Sequence, residues 1–154
     1  VQGDEPLMPI ANIKQVAREL IEHPEASIAT LSELLASAEQ LDDPSVVKGV
    51  ASMSGNALYF SRAAIPFQRD QTEKSSSLLL AAARRHIGLY AYRAAFLQAF
   101  AAWPPSVMET LESLEQLRAL DQGHIIRICE ASEPVPAGVD TPEDLERARG
   151  LLVG

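Results

Sequence analysis

Two aspartates share a local pattern. Asp4 ends Val-Gln-Gly-Asp and Asp140 ends Ala-Gly-Val-Asp. Each follows a short β-like stretch with a glycine, and each is followed closely by a proline and a helix-forming run. In open α/β sheets, ligands gather beyond the carboxyl ends of the strands. Two carboxylates delivered there from distant strands can hold Mg²⁺ against a triphosphate. The alternative is a turn acid at Asp4 and a loop acid ahead of a capped helix at Asp140. Arg62, Arg69, Arg84 and Arg85 fall near strand ends or in a long loop, where paired guanidinium donors can grip carboxylates or phosphates. Solvated surface charge is the commoner fate of any one arginine. His86 and Tyr90 lie four apart on a β-like segment, so they share a face. They are either hydrogen-bonding groups for a polyhydroxylated ligand or a half-buried pair at a sheet edge. Glu112, Glu115 and Gln116 lie off the apolar stripe of their helix, and a solvated face is the default for them.

The elements that must position these residues follow from periodicity. Pro9 suits the first position of a helix, and Ile10, Ile13, Val16, Ala17, Leu20 and Ile21 recur at helical spacing behind it. His23-Pro24 ends that helix. Residues 26–34 read as a strand and residues 35–43 as a short acidic helix or loop. Residues 45–53 and 57–61 flank Ser54-Gly55-Asn56, a hairpin pattern. Residues 70–83, with their tripled small and apolar letters, read as a loop with a helical turn. Residues 86–92 alternate as a strand, and residues 93–103 form a helix that Pro104-Pro105 breaks. Residues 106–120 read as one further helix. Ser106 and Glu109 open it with a capping box, Met108, Leu111, Leu114 and Leu117 make its apolar stripe, and Gly123 closes it. Residues 125–129 form a short strand. Thr141 caps a last helix, with Glu143 and Asp144 at its positive end. Alternating helices and strands with one hairpin predict a mixed α/β sheet.

The bulk numbers bound the function. A chain of 154 residues has room for one domain with a real core. A net charge of −8 argues against gripping a nucleic-acid polymer by bulk charge, though a bound metal can offset a nucleotide's phosphates. No apolar run approaches the ~20 residues of a membrane helix, and no signal-peptide pattern is present. The single cysteine, Cys129, excludes an internal disulfide and suits a reducing compartment. The three histidines and Cys129 do not fall at zinc-ligand spacing.

Five segments in order, VQGDEP, ALYFSRAAIPFQRD, RHIGLYAYR, LESLEQLR and GVDTPEDLERAR, resemble the CMP-Kdo synthetases, the 3-deoxy-manno-octulosonate (Kdo) cytidylyltransferases. DTPEDL alone is shared with related sugar nucleotidyltransferases; YFSRAAIPF, HIGLYAYR and LEQLR are more specific. The resemblance implies a mixed, mainly parallel sheet of the nucleotide-diphospho-sugar transferase type with an antiparallel dimerisation segment, all within one α/β domain over residues 1–154. It implies cytidylyl transfer from CTP to Kdo for lipopolysaccharide biosynthesis, with Mg²⁺ as cofactor, in a cytoplasmic homodimer. Asp4 and Asp140 match the metal-binding aspartates, and Gln2 the glutamine lining the sugar site. Arg62 and Arg69 match the arginines after the YFSR strand, Arg69 being the one expected at the Kdo carboxylate or the phosphates and counted with the catalytic groups. His86 and Tyr90 match the Kdo-facing pair, and Glu115 and Gln116 the pair that binds sugar hydroxyls. Relative to the family, Gly49 and Ala51 stand where larger apolar residues are usual, and the SSSLLLAAA run has no clear match, which leaves the loop around Arg69 open. The family's phosphate-binding loop precedes VQGDEP, so the expectation is a C-terminal portion of a longer nucleotidyltransferase, inactive and unstable by itself. A non-catalytic sugar-binding or dimerisation fragment and a synthetase for another acidic sugar of the sialic acid type are the alternatives.

Overall fold

The computed structural model describes residues 5–70, 78–79, 82–136, 138–139 and 141–152. Gln2, Asp4 and Asp140 therefore lie outside the described residues, as do residues 71–77, 80 and 81 of the expected 70–83 loop; residues 78, 79 and 82 within it are helical.

In chain order the elements are α1 (Ile10–Glu22), β1 (Ile28–Leu34), α2 (Glu39–Asp42), β2 (Lys48–Ala51), β3 (Ala57–Ser61) and β4 (Arg84–Tyr92). They continue with α3 (Ala94–Ala102), α4 (Val107–Glu112), α5 (Gln116–Asp121), β5 (Ile126–Glu130) and α6 (Pro142–Leu152). Among the described residues five strands form one sheet in the order β3-β2-β4-β1-β5. The expected mixed α/β class is what forms. Its balance differs from the mainly parallel sheet implied by the resemblance. Among the described residues β1 and β5 are parallel, while β1–β4, β2–β4 and β2–β3 are antiparallel. The reason is local: β2 and β3 are joined by the tight turn at Gly55, whose φ is +80°, and β4 runs back between β1 and β2.

Side chains sort to the two faces by alternation. Ala29, Leu31, Ile87 and Leu89 pack with Val16 and Leu20 of α1 on one face. Ile28, Phe60, Ile126 and Ile128 pack with Phe96, Leu114 and Leu117 of α3 to α5 on the other. Gly49 allows this second face to close. A Cβ there would meet Ile128 Cδ1 at 3.1 Å and Phe60 at 3.3 Å, so its neighbours already fill the room a larger residue would need.

Two helices depart from expectation. α1 does not bury the whole stripe of isoleucines: Ile10 and Ile21 are 69% and 77% exposed, while Asn12 is fully buried beside Val16 and Leu20. The Asn12 amide explains its place. Its Nδ2 donates to Glu133 O at 2.8 Å, and its Oδ1 accepts from Glu133 N at 3.0 Å and from Ser132 Oγ at 2.9 Å. Gln15 adds a bond from Nε2 to Glu130 O at 2.7 Å. The polar edge of α1 thus holds the loop that follows β5. The second departure is the helix expected over 106–120. Its capping box forms, with Ser106 Oγ accepting from Glu109 N and Glu109 Oε2 accepting from Ser106 N. The helix nevertheless stops at Glu112, because Ser113 adopts a left-handed φ of 53°. A new helix starts at Gln116. No helix among the described residues is long and apolar enough to cross a membrane.

Candidate active-site cleft

β4 runs antiparallel to β1, so its first residues lie beside the carboxyl end of β1, with Arg85 opposite Glu33 and His86 opposite Ser32. This is the end of the sheet where α/β proteins place ligands. A cleft of about 1030 Å³ opens there, between β4, the α4–α5 turn, the 45–47 segment and Gly138. Its walls carry His86, Tyr90, Glu115 and Gln116, and also Arg62 and Arg85. Four of the sequence-predicted sugar-site residues are thus brought together from two separate elements.

His86 and Tyr90 share a face as alternation predicts, with ring centroids 5.4 Å apart. Behind His86 stands Thr30, fully buried, its Oγ1 3.0 Å from His86 Nε2. Burial pushes His86 down from 6.5 to about 3, so its imidazole is neutral near pH 7. Burial also raises Tyr90, helped by Tyr92, Glu115 and Glu5, and takes Tyr92 up to about 12 with help from Glu115. Both phenols therefore keep their protons and remain donors. Gln116 is 3% exposed, and its side-chain Nε2 is buried without a hydrogen-bond partner among the described residues. A buried donor left unpaired costs about 1–3 kcal/mol, so a partner on a ligand would recover that deficit. The solvated face expected for Gln116 is therefore corrected: the break at Ser113 turns this residue inward, while Glu115 stays exposed at the rim.

The arginines separate. Arg62 lines the cleft, but its donors go largely to main-chain carbonyls: Nε to Glu112 O at 2.8 Å, Nη1 to Pro44 O at 3.0 Å and Nη2 to Ser113 O at 3.5 Å. Arg69 is not brought to this cleft. It is exposed and lines a separate groove of about 330 Å³ with Phe67, Leu78 and Ala82. Arg84 pairs with Glu130 at 2.8 Å. Arg85 pairs with Glu33 at 2.5 Å, and Glu33 Oε1 in turn accepts from Val135 N at 2.6 Å. That pair fixes the segment leading to Gly138. Thr30 was invisible to sequence reasoning, since one threonine in an apolar strand carries no signal. Among the described residues no three His, Cys, Asp or Glu side chains form a metal-binding group.

A family model described as cytidylyltransferase matches residues 1–128. This chain belongs to the cytidylyltransferase family. Among curated members it is 53% identical over 154 residues to the 3-deoxy-manno-octulosonate cytidylyltransferase of Pseudomonas syringae pv. tomato, covering 99% of this chain and 61% of that protein. It is likewise 53% identical over 152 residues to the enzyme of that name from Polynucleobacter necessarius, covering 99% of this chain and 58% of that protein. The chain therefore spans about three fifths of the length of these cytidylyltransferases. A solved structure of CMP:2-keto-3-deoxy-manno-octonic acid synthetase complexed with CTP matches with a TM-score of 0.86 at 37% identity, over 99% of this chain and 60% of that one.

Proposed function

We propose that the protein containing this chain is a Kdo cytidylyltransferase, making CMP-Kdo and pyrophosphate from Kdo and CTP for lipopolysaccharide biosynthesis. The observation that carries the reading is the cleft in which His86, Tyr90, Glu115 and Gln116 converge, with Gln116 Nε2 buried and without a hydrogen-bond partner among the described residues. The names of the relatives and the CTP bound to the similar solved structure point the same way.

In this reading the anomeric hydroxyl oxygen of Kdo bonds to the α-phosphorus of CTP. The bond from that phosphorus to the bridging oxygen of pyrophosphate breaks, pyrophosphate departs, and the hydroxyl proton passes to solvent. The cleft residues bind and orient the sugar, which converts an encounter of two solutes into a reaction within one complex. Gln116 Nε2 and the Tyr90 hydroxyl donate to sugar oxygens, while the Glu115 carboxylate and neutral His86 accept. Arg69, exposed and outside the cleft, would need a ligand that extends beyond it.

Mg²⁺ is part of the proposal. Its holders would be Asp4 and Asp140, whose hard carboxylate oxygens suit the ion. Gly138, a described neighbour of Asp140, lines the cleft, which supports this reading. Gln2 would line the sugar site beside Asp4. When bound, the ion would offset triphosphate charge and ease ionisation of the attacking hydroxyl. We further propose a cytoplasmic homodimer. Exposed Leu97, Val107 and Leu111 on α3 and α4 and the half-buried free Cys129 support it.

The test is pyrophosphate release by the complete protein with CTP and either Kdo or a sialic acid, with Mg²⁺ present or chelated. Release with Kdo and Mg²⁺ alone is expected. Release with the sialic acid and not with Kdo overturns the substrate.

A further inference from the structure

We infer that Arg62, Glu112 and Ser113 form a clamp that aims Glu115 and Gln116 into the cleft, so that Arg62 serves sugar binding as a positioning residue and does not touch the substrate. The inference rests on the reading of this cleft as the acidic-sugar site.

Arg62 and Glu112 are joined through both main chain and side chain. Arg62 N donates to Glu112 Oε2 at 2.9 Å, and Arg62 Nε donates to Glu112 O at 2.8 Å. The other carboxylate oxygen of Glu112 accepts from Ser61 Oγ at 2.6 Å. Lys48, fully buried, donates from Nζ to Arg62 O at 2.6 Å and to Asp43 O at 2.8 Å, which fixes the arginine's own backbone.

In a helix continuing past Glu112, the carbonyls of Glu112 and Ser113 would accept from the amides of residues 116 and 117. The Arg62 guanidinium takes their place at both carbonyls. A left-handed backbone is unfavourable for a residue other than glycine. Hydrogen bonds to a charged donor are stronger than neutral ones, and burying a leucine is favourable. The clamp, with Leu114 and Leu117 buried just beyond it, therefore acts against the cost of the break. Three residues past Ser113 the Gln116 side chain stands buried at the cleft, its Nε2 without a protein partner among the described residues.

The experiment is steady-state kinetics of the complete protein for Arg62→Met, Glu112→Gln and the double variant. Glu112→Gln leaves one oxygen to serve two donors, and it lies behind Arg62, joined to Ser61 and the Arg62 main chain. Each single variant should raise the KM for Kdo about tenfold while the KM for CTP stays within about twofold. The double variant should be no worse than the worse single one, because residues acting as a unit are not additive. Arg62→Lys, which lacks the planar fork, should fall between wild type and Arg62→Met, and it serves if Arg62→Met folds poorly. Ser113→Val should raise the Kdo KM more than Ser113→Gly does. A rise in Arg62→Met with none in Glu112→Gln would mean that Arg62 touches substrate, and the clamp fails. No rise in either also overturns it. If the wild type does not turn over Kdo, the sugar-site reading fails separately. Amide hydrogen exchange over residues 113–118 then decides the clamp: about tenfold acceleration in Glu112→Gln is expected, and unchanged exchange overturns it.

Discussion

Thr30 has one hydroxyl hydrogen and three polar neighbours: Leu89 O at 2.9 Å, Ile87 O at 3.0 Å and His86 Nε2 at 3.0 Å. The two carbonyls cannot donate, so the hydrogen goes to them and the oxygen accepts from His86. Neutral His86 then carries its proton on Nε2 and keeps Nδ1 as an acceptor. The buried imidazole also links stability to pH. In the unfolded chain it takes a proton below about 6.5, whereas in the folded protein it does so only near 3. The stability that depends on neutral His86 is complete above the upper value and is lost as pH falls through this window, by up to about 1.4 kcal/mol per pH unit. His86→Gln should therefore flatten the acid limb of the Tm–pH profile between these two values. A limb as steep as that of wild type would contradict the assignment. Thr30→Val removes the acceptor at nearly constant shape, and the Nε2–H tautomer signature in imidazole ¹⁵N spectra should weaken with it; Thr30→Ser should retain it.

At the scale of elements, local chemistry decides some boundaries and distant partners decide others. The Ser106–Glu109 box is local, and Ser106→Ala should lower unfolding free energy by about 1 kcal/mol in denaturant titrations. It was legible because cap, spacing and apolar run lie within a few residues of each other. So were the hairpin at Gly55, the left-handed Gly123 with φ +77°, and the Thr141 cap, whose Oγ1 accepts from Asp144 N at 3.2 Å. The break at Ser113 was not legible. The stripe from Met108 to Leu117 continues through it, and the group that turns the carbonyls away is Arg62, some 50 residues earlier. The burial of Asn12 was hidden for the same reason, since its partners are Ser132 and Glu133. Periodicity registers which residues are apolar, but not which carbonyls and amides from elsewhere will meet a polar side chain. In the site, His86 and Tyr90 were legible from alternation, whereas their meeting with Glu115 and Gln116 depended on the family resemblance.

At the scale of the molecule, the sheet separates two tasks. One face binds α1, whose polar edge holds the loop after β5; the other carries the aromatic and aliphatic core that seats α3 to α5. The cleft sits where both tasks meet, beside the carboxyl end of β1, with Gly138 on its wall. The proposed metal site needs the two ends of the chain to arrive at that same mouth. Asp4→Ala and Asp140→Ala, each made in the complete protein, should abolish pyrophosphate release while circular dichroism stays that of wild type. Full activity in either would remove that residue from the metal site.

The central claim is that this cleft holds the sugar, and Gln116 tests it most directly. Gln116→Met replaces a buried amide, whose Nε2 has no hydrogen-bond partner among the described residues, with an apolar side chain of similar length. The measurement is the KM for Kdo in pyrophosphate release, read beside the Tm of the same variant. The expected result is a KM about tenfold higher or more with a Tm equal to or above that of wild type. An unchanged KM in a stably folded Gln116→Met protein would contradict the account.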